Sequence, residues 1–510
     1  MTSRQRWTLI AVCMGTFMLL LDITIVNVAL PDIQKSLKAS FSDLQWVVDA
    51  YALTLATLLL TAGSLADLFG RRRVFVIGMG IFVVASLLCG LSGTATMLHL
   101  SRALQGFGGA VMFACSLALL AAEFQGRDRG TAFGAWGATI GFAVAVGPLV
   151  GGALTEGLGW EWIFFVNIPV GIATMVLASM RVQESSNPDA GGVDWLGVIS
   201  FSGSLFLLVF GLIRANDLGW GSTAIVTRFA GAVVLFALFV FVEQRVESPM
   251  FPLSLFRKPA FDGVSIAAFS ISAAMFSMFL YLTLYLQNVL GYSPLATGVR
   301  FLPLSVTSFV VAPFAGRLAA RYPVRAFLGL GLLLVSFALL LMHGVTPHSH
   351  WTTLLAGFVI GGAGIGLVNP ALAQGAVGVV QPQMSGVASG INNTCRQVGI
   401  ATGIAALGAI FQSRIQNKLI AGLAGTPGES RVHELARGIA GGGAAQIKQG
   451  VPPQFRARFT AVADAAFCSG LNTILVVGAG VALAGALLAF TLVRERDFVS
   501  HGAAAEAAHA

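Results

Sequence analysis

The sequence predicts an all-α protein that crosses a membrane fourteen times. Three observations carry that prediction. Charged residues make up only 10% of the 510-residue chain and apolar residues 56%, whereas a typical soluble protein is about 25% charged. Apolar runs near 20 residues, the length a helix needs to cross hydrocarbon, recur from end to end. The basic residues fall between those runs in a pattern that gives the helices a direction. The 52 charges, 30 Lys+Arg and 22 Asp+Glu, are too few to cover soluble domains of this total length, and a mean hydropathy of +0.83 agrees.

Taken in order, the first six spans read 7–30, 46–65, 74–92, 97–122, 131–155 and 162–182. The next two are 194–213 and 224–243. The last six are 262–288, 296–319, 325–343, 352–376, 388–412 and 468–492. Barrel strands are excluded, because they run about 10 residues with strict alternation, while the stretch from Gly263 to Val299 holds no charge at all. The first run follows Arg4 and Arg6 but contains Asp22 and ends in no small-residue cleavage site, so it reads as a retained helix. The five cysteines, Cys13, Cys89, Cys115, Cys395 and Cys468, lie in or beside apolar runs without CxxC spacing. Neither a disulfide framework nor a metal site is expected.

With the N-terminus in the cytoplasm, sixteen Lys and Arg residues fall in inner segments, among them Arg71, Arg72, Arg73, Arg127, Arg129 and Arg325. Short outer connections hold four: Lys35, Lys38, Arg214 and Arg228. Three (Arg102, Arg300 and Arg396) are embedded in helices, and the other seven lie in one long outer loop, 413–467. Long loops translocate largely regardless of charge. Both termini are therefore expected in the cytoplasm, in a cytoplasmic-membrane protein. The net charge of +8 records topology, and no nucleic-acid partner is expected. The Gly/Ala-rich loop 413–467 reads either as a connector or as a gating or partner-binding element, with a short helix in 429–440. Residues 496–510 read as a disordered cytoplasmic tail.

An internal repeat sets the domain plan. Gly63-Ser64-Leu65-Ala66-Asp67-Leu68-Phe69-Gly70-Arg71-Arg72-Arg73 follows the second span, and a degenerate copy without the acid, Gly316-Arg317-Leu318-Ala319-Ala320-Arg321, follows the tenth. The offset of eight helices gives a 6+2+6 arrangement. Residues 1–185 form the first six-helix half, 186–255 two inserted helices, and 256–495 the second half.

The first copy resembles the cytoplasmic loop signature of the major facilitator superfamily. Leu21-Asp22-Ile23-Thr24-Ile25-Val26-Asn27-Val28-Ala29-Leu30-Pro31 resembles the first-helix motif of its fourteen-helix drug:proton antiporter branch. Arg102-Ala103-Leu104-Gln105-Gly106 resembles the fourth-helix motif, and Gly147-Pro148-Leu149-Val150-Gly151-Gly152 the fifth-helix antiporter motif. Trp160-Glu161-Trp162-Ile163-Phe164-Phe165-Val166-Asn167-Ile168-Pro169 resembles the sixth-helix entry, with Glu161 where the branch commonly has Arg. Gly291-Tyr292-Ser293-Pro294 and Asn392 with Arg396-Gln397 are similar to second-half motifs. The resemblance implies a major facilitator fold and proton-coupled export of drug-like molecules. It implies that Gly63, Asp67, Gly70, Arg71 and Arg72 form a latch for the outward-open state, and that Gly147, Pro148, Gly151 and Gly152 mark export. Plain topogenic charge is the other reading of the arginines, but it leaves Asp67 and the glycines unexplained.

Physical chemistry adds its own candidates. An intramembrane charge costs several kcal/mol unless paired or wetted. Asp22 and Arg102 sit at compatible depths, so Asp22 reads as a proton carrier whose ionised form Arg102 favours, or as one half of a permanent structural pair. Asp49 reads as a second proton site or as a residue snorkelling to the interface. Asn392 and Arg396, four residues apart on one helix face, read as cavity-lining or as bonded to helix carbonyls. Asn27, Gln105, Tyr281, Gln287 and Asn369 are the remaining cavity candidates, with helix–helix hydrogen bonding the alternative for each. With 37 Phe and 5 Tyr, such a cavity suits hydrophobic, amphipathic or cationic molecules better than sugars.

No lysine follows a glycine, so no Walker motif exists and ATP is not the expected energy source. The Gly361–Gly366 run lies within an apolar span and reads as packing. One charge crossing 100 mV supplies about 2.3 kcal/mol, enough for roughly a fifty-fold gradient. No enzyme activity, cofactor or metal is expected; the partners are protons, lipid and a hydrophobic small molecule, and the chain is expected to be a monomer. A transporter of one specific metabolite on the same fold is the alternative function.

Overall fold

The computed structural model describes residues 1–39, 41–186, 194–246, 253–319, 321–381, 384–423, 431–440, 447 and 450–498. A few side chains within that range lie outside the description, those of Asn27 and Pro148 included.

Helix α1 (Ser3–Leu37) starts at a capping box. Thr2 Oγ1 accepts from the Gln5 amide at 3.2 Å and Gln5 Oε1 from the Thr2 amide at 2.8 Å, which satisfies two donors that every helix start leaves open. Helices α2 (Phe41–Phe69), α3 (Arg71–Gly90), α4 (Ala95–Glu123) and α5 (Gly126–Gly157) follow with short connections. The sixth crossing is broken into α6 (Trp162–Phe165) and α7 (Asn167–Arg181). The break falls where Pro169 cannot donate to the carbonyl four residues earlier.

Helices α8 (Trp195–Leu218) and α9 (Thr223–Glu243) form a hairpin, joined by Ser204 Oγ donating to the Ala232 carbonyl at 2.8 Å and by Phe201 against Phe239. On α9 only Ile225, Ala232, Phe239 and Glu243 are buried. Much of the rest of its apolar surface, Val226, Val233, Val234, Phe236, Leu238 and Phe241 included, is exposed, as an apolar helix facing lipid would show. The hairpin leans on both bundles: Ser202 bonds Thr61 of α2, and Asn216 donates to the Ala405 carbonyl beyond.

The second bundle comprises α10 (Pro259–Ile271), α11 (Ser277–Leu284), α12 (Pro294–Leu318), α13 (Val324–Leu341), α14 (Leu355–Gly378), α15 (Ser385–Leu423) and α17 (Pro453–Leu492), with the short α16 (Val432–Ala440) between the last two. Two π turns, Ser272–Phe276 and Tyr285–Val289, interrupt the crossing that begins with α10. One core centres on Met79, Phe82, Met112, Phe133 and Trp136. The other centres on Met275, Met278, Leu332, Phe358, Phe411 and Leu471. The two bundles approach most closely along α5 and α12, where a Cβ on Gly134 or Gly316 would press on the opposing backbone. Small residues permit such approach in lipid.

Thirteen segments among the described residues are long and apolar enough to cross a membrane. The 32-residue α5 is a further helix in fifth place. The segment read as a loop from 413 to 467 is more helical than hydropathy indicated, since α15 runs on to Leu423 and α17 starts at Pro453. Their extensions carry polar side chains on an amphipathic helix, which lowers hydropathy without lowering helix propensity. The stretch 429–440 does contain a helix, α16; part of the remaining loop and the tail 499–510 lie outside the described residues.

Candidate functional site

Asp22 on α1 and Arg102 on α4 meet directly, with Arg102 Nη1 donating to Asp22 Oδ2 at 2.6 Å. Their side chains are 0% and 2% exposed. A pair this occluded must have its other polar valences filled, or burial would cost more than the attraction returns. They are filled. Asp22 Oδ1 accepts from Gln105 Nε2 at 2.8 Å and from Asn167 Nδ2 at 2.9 Å. Arg102 donates Nε–H to the Val47 carbonyl at 3.0 Å and also contacts Gln105 Oε1 at 2.6 Å. Ser86 Oγ accepts from Gln105 Nε2 at 2.8 Å. The Tyr51 ring lies 4.2 Å beneath the guanidinium, a cation–π contact strengthened by desolvation. Helices α1, α2, α3, α4 and α7 thus converge on one carboxylate.

Sequence reading proposed Asp22, Arg102 and Gln105 as site residues; it met Asn167 only within the sixth-helix resemblance, and Ser86 and Tyr51 not at all. Asn167 carried a usable signal: a lone amide beside Pro169 at a helix break inside an apolar run.

The glycines of the fifth-helix motif pack α5 against the segment of α1 that follows Asp22. A Cβ on Gly147 would collide with Thr24, and one on Gly151 would touch Ile25, two and three residues along α1 from Asp22. Gly152 is less confined, its nearest neighbour being Leu295 at 3.6 Å.

A second cluster lies at the junction of α2 and α3, where α15 begins alongside. Asp67 Oδ1 accepts from Arg71 Nε at 2.7 Å, and both side chains are buried. Asp67 Oδ2 accepts from the Val387 amide at 3.0 Å, at the start of α15. A carboxylate at a helix N-terminus meets open N–H groups and the positive end of the helix dipole. Gly63 and Gly386 allow the contact, because a Cβ on Gly63 would meet the Gly386 carbonyl at 2.5 Å. Gly70 turns the chain with φ +101°, a left-handed conformation that favours glycine. Glu184, unremarked in the sequence, accepts from the Arg72 and Arg73 amides at 3.0 and 3.1 Å, and so caps α3. Arg72 also reaches the Val182 carbonyl at 3.3 Å.

The other candidates scatter. Asp49 is half-buried within electrostatic reach of Arg214 and Asp217, apart from the Asp22 network. Tyr281 donates its hydroxyl to the Ile404 carbonyl at 2.9 Å, a helix–helix bond rather than a free cavity group. Gln287 lies half-buried in the second π turn. Arg300 bonds the Ala296 carbonyl at 2.7 Å and covers the Tyr292 ring, near the start of α12. Asn369, Asn392 and Arg396 are all buried in the second bundle, and Arg396 Nη2 donates to Asn369 Oδ1 at 3.0 Å. The Gly361–Gly366 run packs inside α14, with Gly362 against the Leu304 backbone.

Membrane-crossing helices in two bundles, a buried ion pair in one and a carboxylate tie between them define a polytopic membrane transporter. The chain belongs to the Major Facilitator Superfamily, whose model matches residues 12–404. It is 34% identical over 498 residues to the tetracenomycin C resistance and export protein of Streptomyces glaucescens, covering 96% of this chain and 92% of that one. It is 36% identical over 412 residues to the multidrug resistance protein Stp of Mycobacterium tuberculosis, covering 81% and 76%. The human organic anion transporter MFSD10 shares the fold with a TM-score of 0.64 at 14% identity, over 96% of this chain and 100% of that one.

Proposed function

We propose that this protein is a proton-coupled antiporter that exports hydrophobic or amphipathic drug-like compounds across the cytoplasmic membrane by alternating access. The observation that carries the reading is the occluded Asp22–Arg102 pair with its filled hydrogen-bond shell. A proton arriving at Asp22 removes the counterion of Arg102. Breaking a buried pair by removing one charge costs about 3–5 kcal/mol, so the protonated and ionised states favour different packings of α1 against α4. That difference is the coupling energy alternating access needs. The Gly147 and Gly151 contacts transmit a shift of α1 to α5, and α5 adjoins the second bundle.

The 6+2+6 plan gives the motion its parts, with residues 1–185 and 256–495 as the rocking halves and 186–255 as the inserted pair. Asp67, bonded to Val387, holds one end closed, which fits an outward-open latch. The distribution of Lys and Arg supports placing that end, with both termini, in the cytoplasm. The relatives named for resistance and export support drug-like cargo. Inverted membrane vesicles with an acidified lumen test the reading. Added substrate alkalinises the lumen if export exchanges for protons, and a flat trace with demonstrable substrate uptake contradicts antiport.

A further inference from the structure

The two bundles treat their buried arginines in opposite ways. Arg102 has a carboxylate at 2.6 Å. Arg396 is 6% exposed, and among the described residues no carboxylate pairs with it. Among the described residues its side-chain hydrogen-bond partner is the neutral Asn369, and its Nη1 has no acceptor. Asn369 Nδ2 and, one turn back along α15, Asn392 Nδ2 are buried donors without acceptors, on residues 0% and 2% exposed, and the Ser272 hydroxyl, packed near Gly399 of α15, is also unpartnered. Buried polar groups are hydrogen-bonded in the great majority of cases, and a buried cation without a counterion is costlier still. Several orphaned donors around one uncompensated guanidinium call for an acceptor that carries negative charge.

The neighbouring side chains indicate the rest of that acceptor. Ser272 and Phe276 bound the first π turn, and π turns inside α-helices are frequent at functional sites. The turn brings the partly buried Phe276 ring to 5.7 Å from the Arg396 guanidinium. From there aromatic rings continue edge-to-face through Phe279 at 5.9 Å and Phe301 at a further 5.7 Å.

We infer that Arg396, with Asn369, Asn392 and Ser272, forms a recognition site for the anionic oxygen of an aromatic substrate, a carboxylate or ionised phenol whose rings lie along Phe276. This rests on the transport reading and deepens it: the preferred cargo is an aromatic anion rather than a lipophilic cation. The planar guanidinium suits a two-oxygen acceptor, and charge-assisted bonds are roughly twice as strong as neutral ones.

Binding to the purified full-length protein in detergent tests the site without requiring transport. The probes are anthraquinone-2-carboxylate, its neutral carboxamide and the aromatic cation ethidium, measured by equilibrium dialysis at low salt. The wild type is expected to bind the carboxylate roughly tenfold or more tightly than the carboxamide, the margin of a charge-assisted bond. Arg396→Gln abolishes that margin while still binding the carboxamide, which shows that it is folded, and Arg396→Lys keeps part of it. Equal binding of acid and amide by the wild type, binding of neither, or stronger binding of ethidium overturns the site. An unchanged margin in Arg396→Gln overturns it too. A protein that binds the acid selectively but moves no protons in vesicles sinks the antiport reading and leaves this one standing.

Discussion

Arg102 of α4 holds Asp22 of α1 at 2.6 Å while anchoring its own Nε–H on the Val47 carbonyl of α2. The ion pair therefore pins three helices, and removing either charge alone has a different cost from removing both. Arg102→Ala leaves a buried carboxylate uncompensated and is expected to destabilise by about 3–5 kcal/mol. Asp22→Asn added to that variant is expected to recover most of the loss. Thermal unfolding of the four proteins in a double-mutant cycle measures it; additive effects would mean that the pair is not a unit.

Asp67 joins the bundles through a single carboxylate, so the acid and its amide should behave differently. Asp67→Asn keeps an oxygen for the Val387 amide, whereas Asp67→Ala removes the carboxylate that pairs with the buried Arg71. Transport is expected to fall at least tenfold in Asp67→Ala, with a smaller loss in Asp67→Asn. Thiol labelling of a cysteine placed at Leu60, against Gly390, should increase in both variants. Unchanged labelling would mean that this end of the molecule does not depend on Asp67.

Gly147 and Gly152 belong to one motif but meet different surroundings. Gly147→Ala drives a methyl into Thr24, and overpacking of this kind costs about 1–3 kcal/mol. Gly152→Ala finds its neighbour at ordinary contact distance and should be nearly silent. Resistance in a pump-deficient host, compared at matched expression, reads the contrast. Equal loss in both variants would detach the motif's role from its packing on α1.

Glu184 caps α3 from the segment that follows α7, and its carboxylate is part-exposed, so solvent weakens its contribution. Glu184→Ala is expected to cost roughly 1 kcal/mol, in the range of lost helix caps, with Glu184→Gln intermediate. Thermal unfolding separates the three proteins. No difference between Ala and wild type would show that the cap is dispensable.

The order and type of the elements were legible because lipid penalises every departure from apolar helix, and because a charge kept in an apolar run needs a reason. Asp22 and Arg102 stood out on that ground. Asn167 did not, since a neutral amide costs little enough to pass as a helix-packing residue. Glu184 looked like linker charge because capping is a matter of three-dimensional approach to Arg72 and Arg73. The continuation of α15 past Gln412 was hidden by its polar face, which hydropathy reads as loop. The π turn at Ser272–Phe276 has no counterpart in the residue pattern: it adds one residue to a turn without changing composition. The carbonyl bond of Tyr281 shows the converse, a polar residue in an apolar span used for packing.

The central claim is that Asp22 carries the coupled proton, and reconstituted Asp22→Asn addresses it most directly. In proteoliposomes with a trapped pH indicator, wild-type protein is expected to move protons when substrate is added. Asp22→Asn is expected to bind substrate within a few-fold of wild type and to move no protons in response. Substrate-evoked proton movement by Asp22→Asn at the wild-type rate would contradict the account.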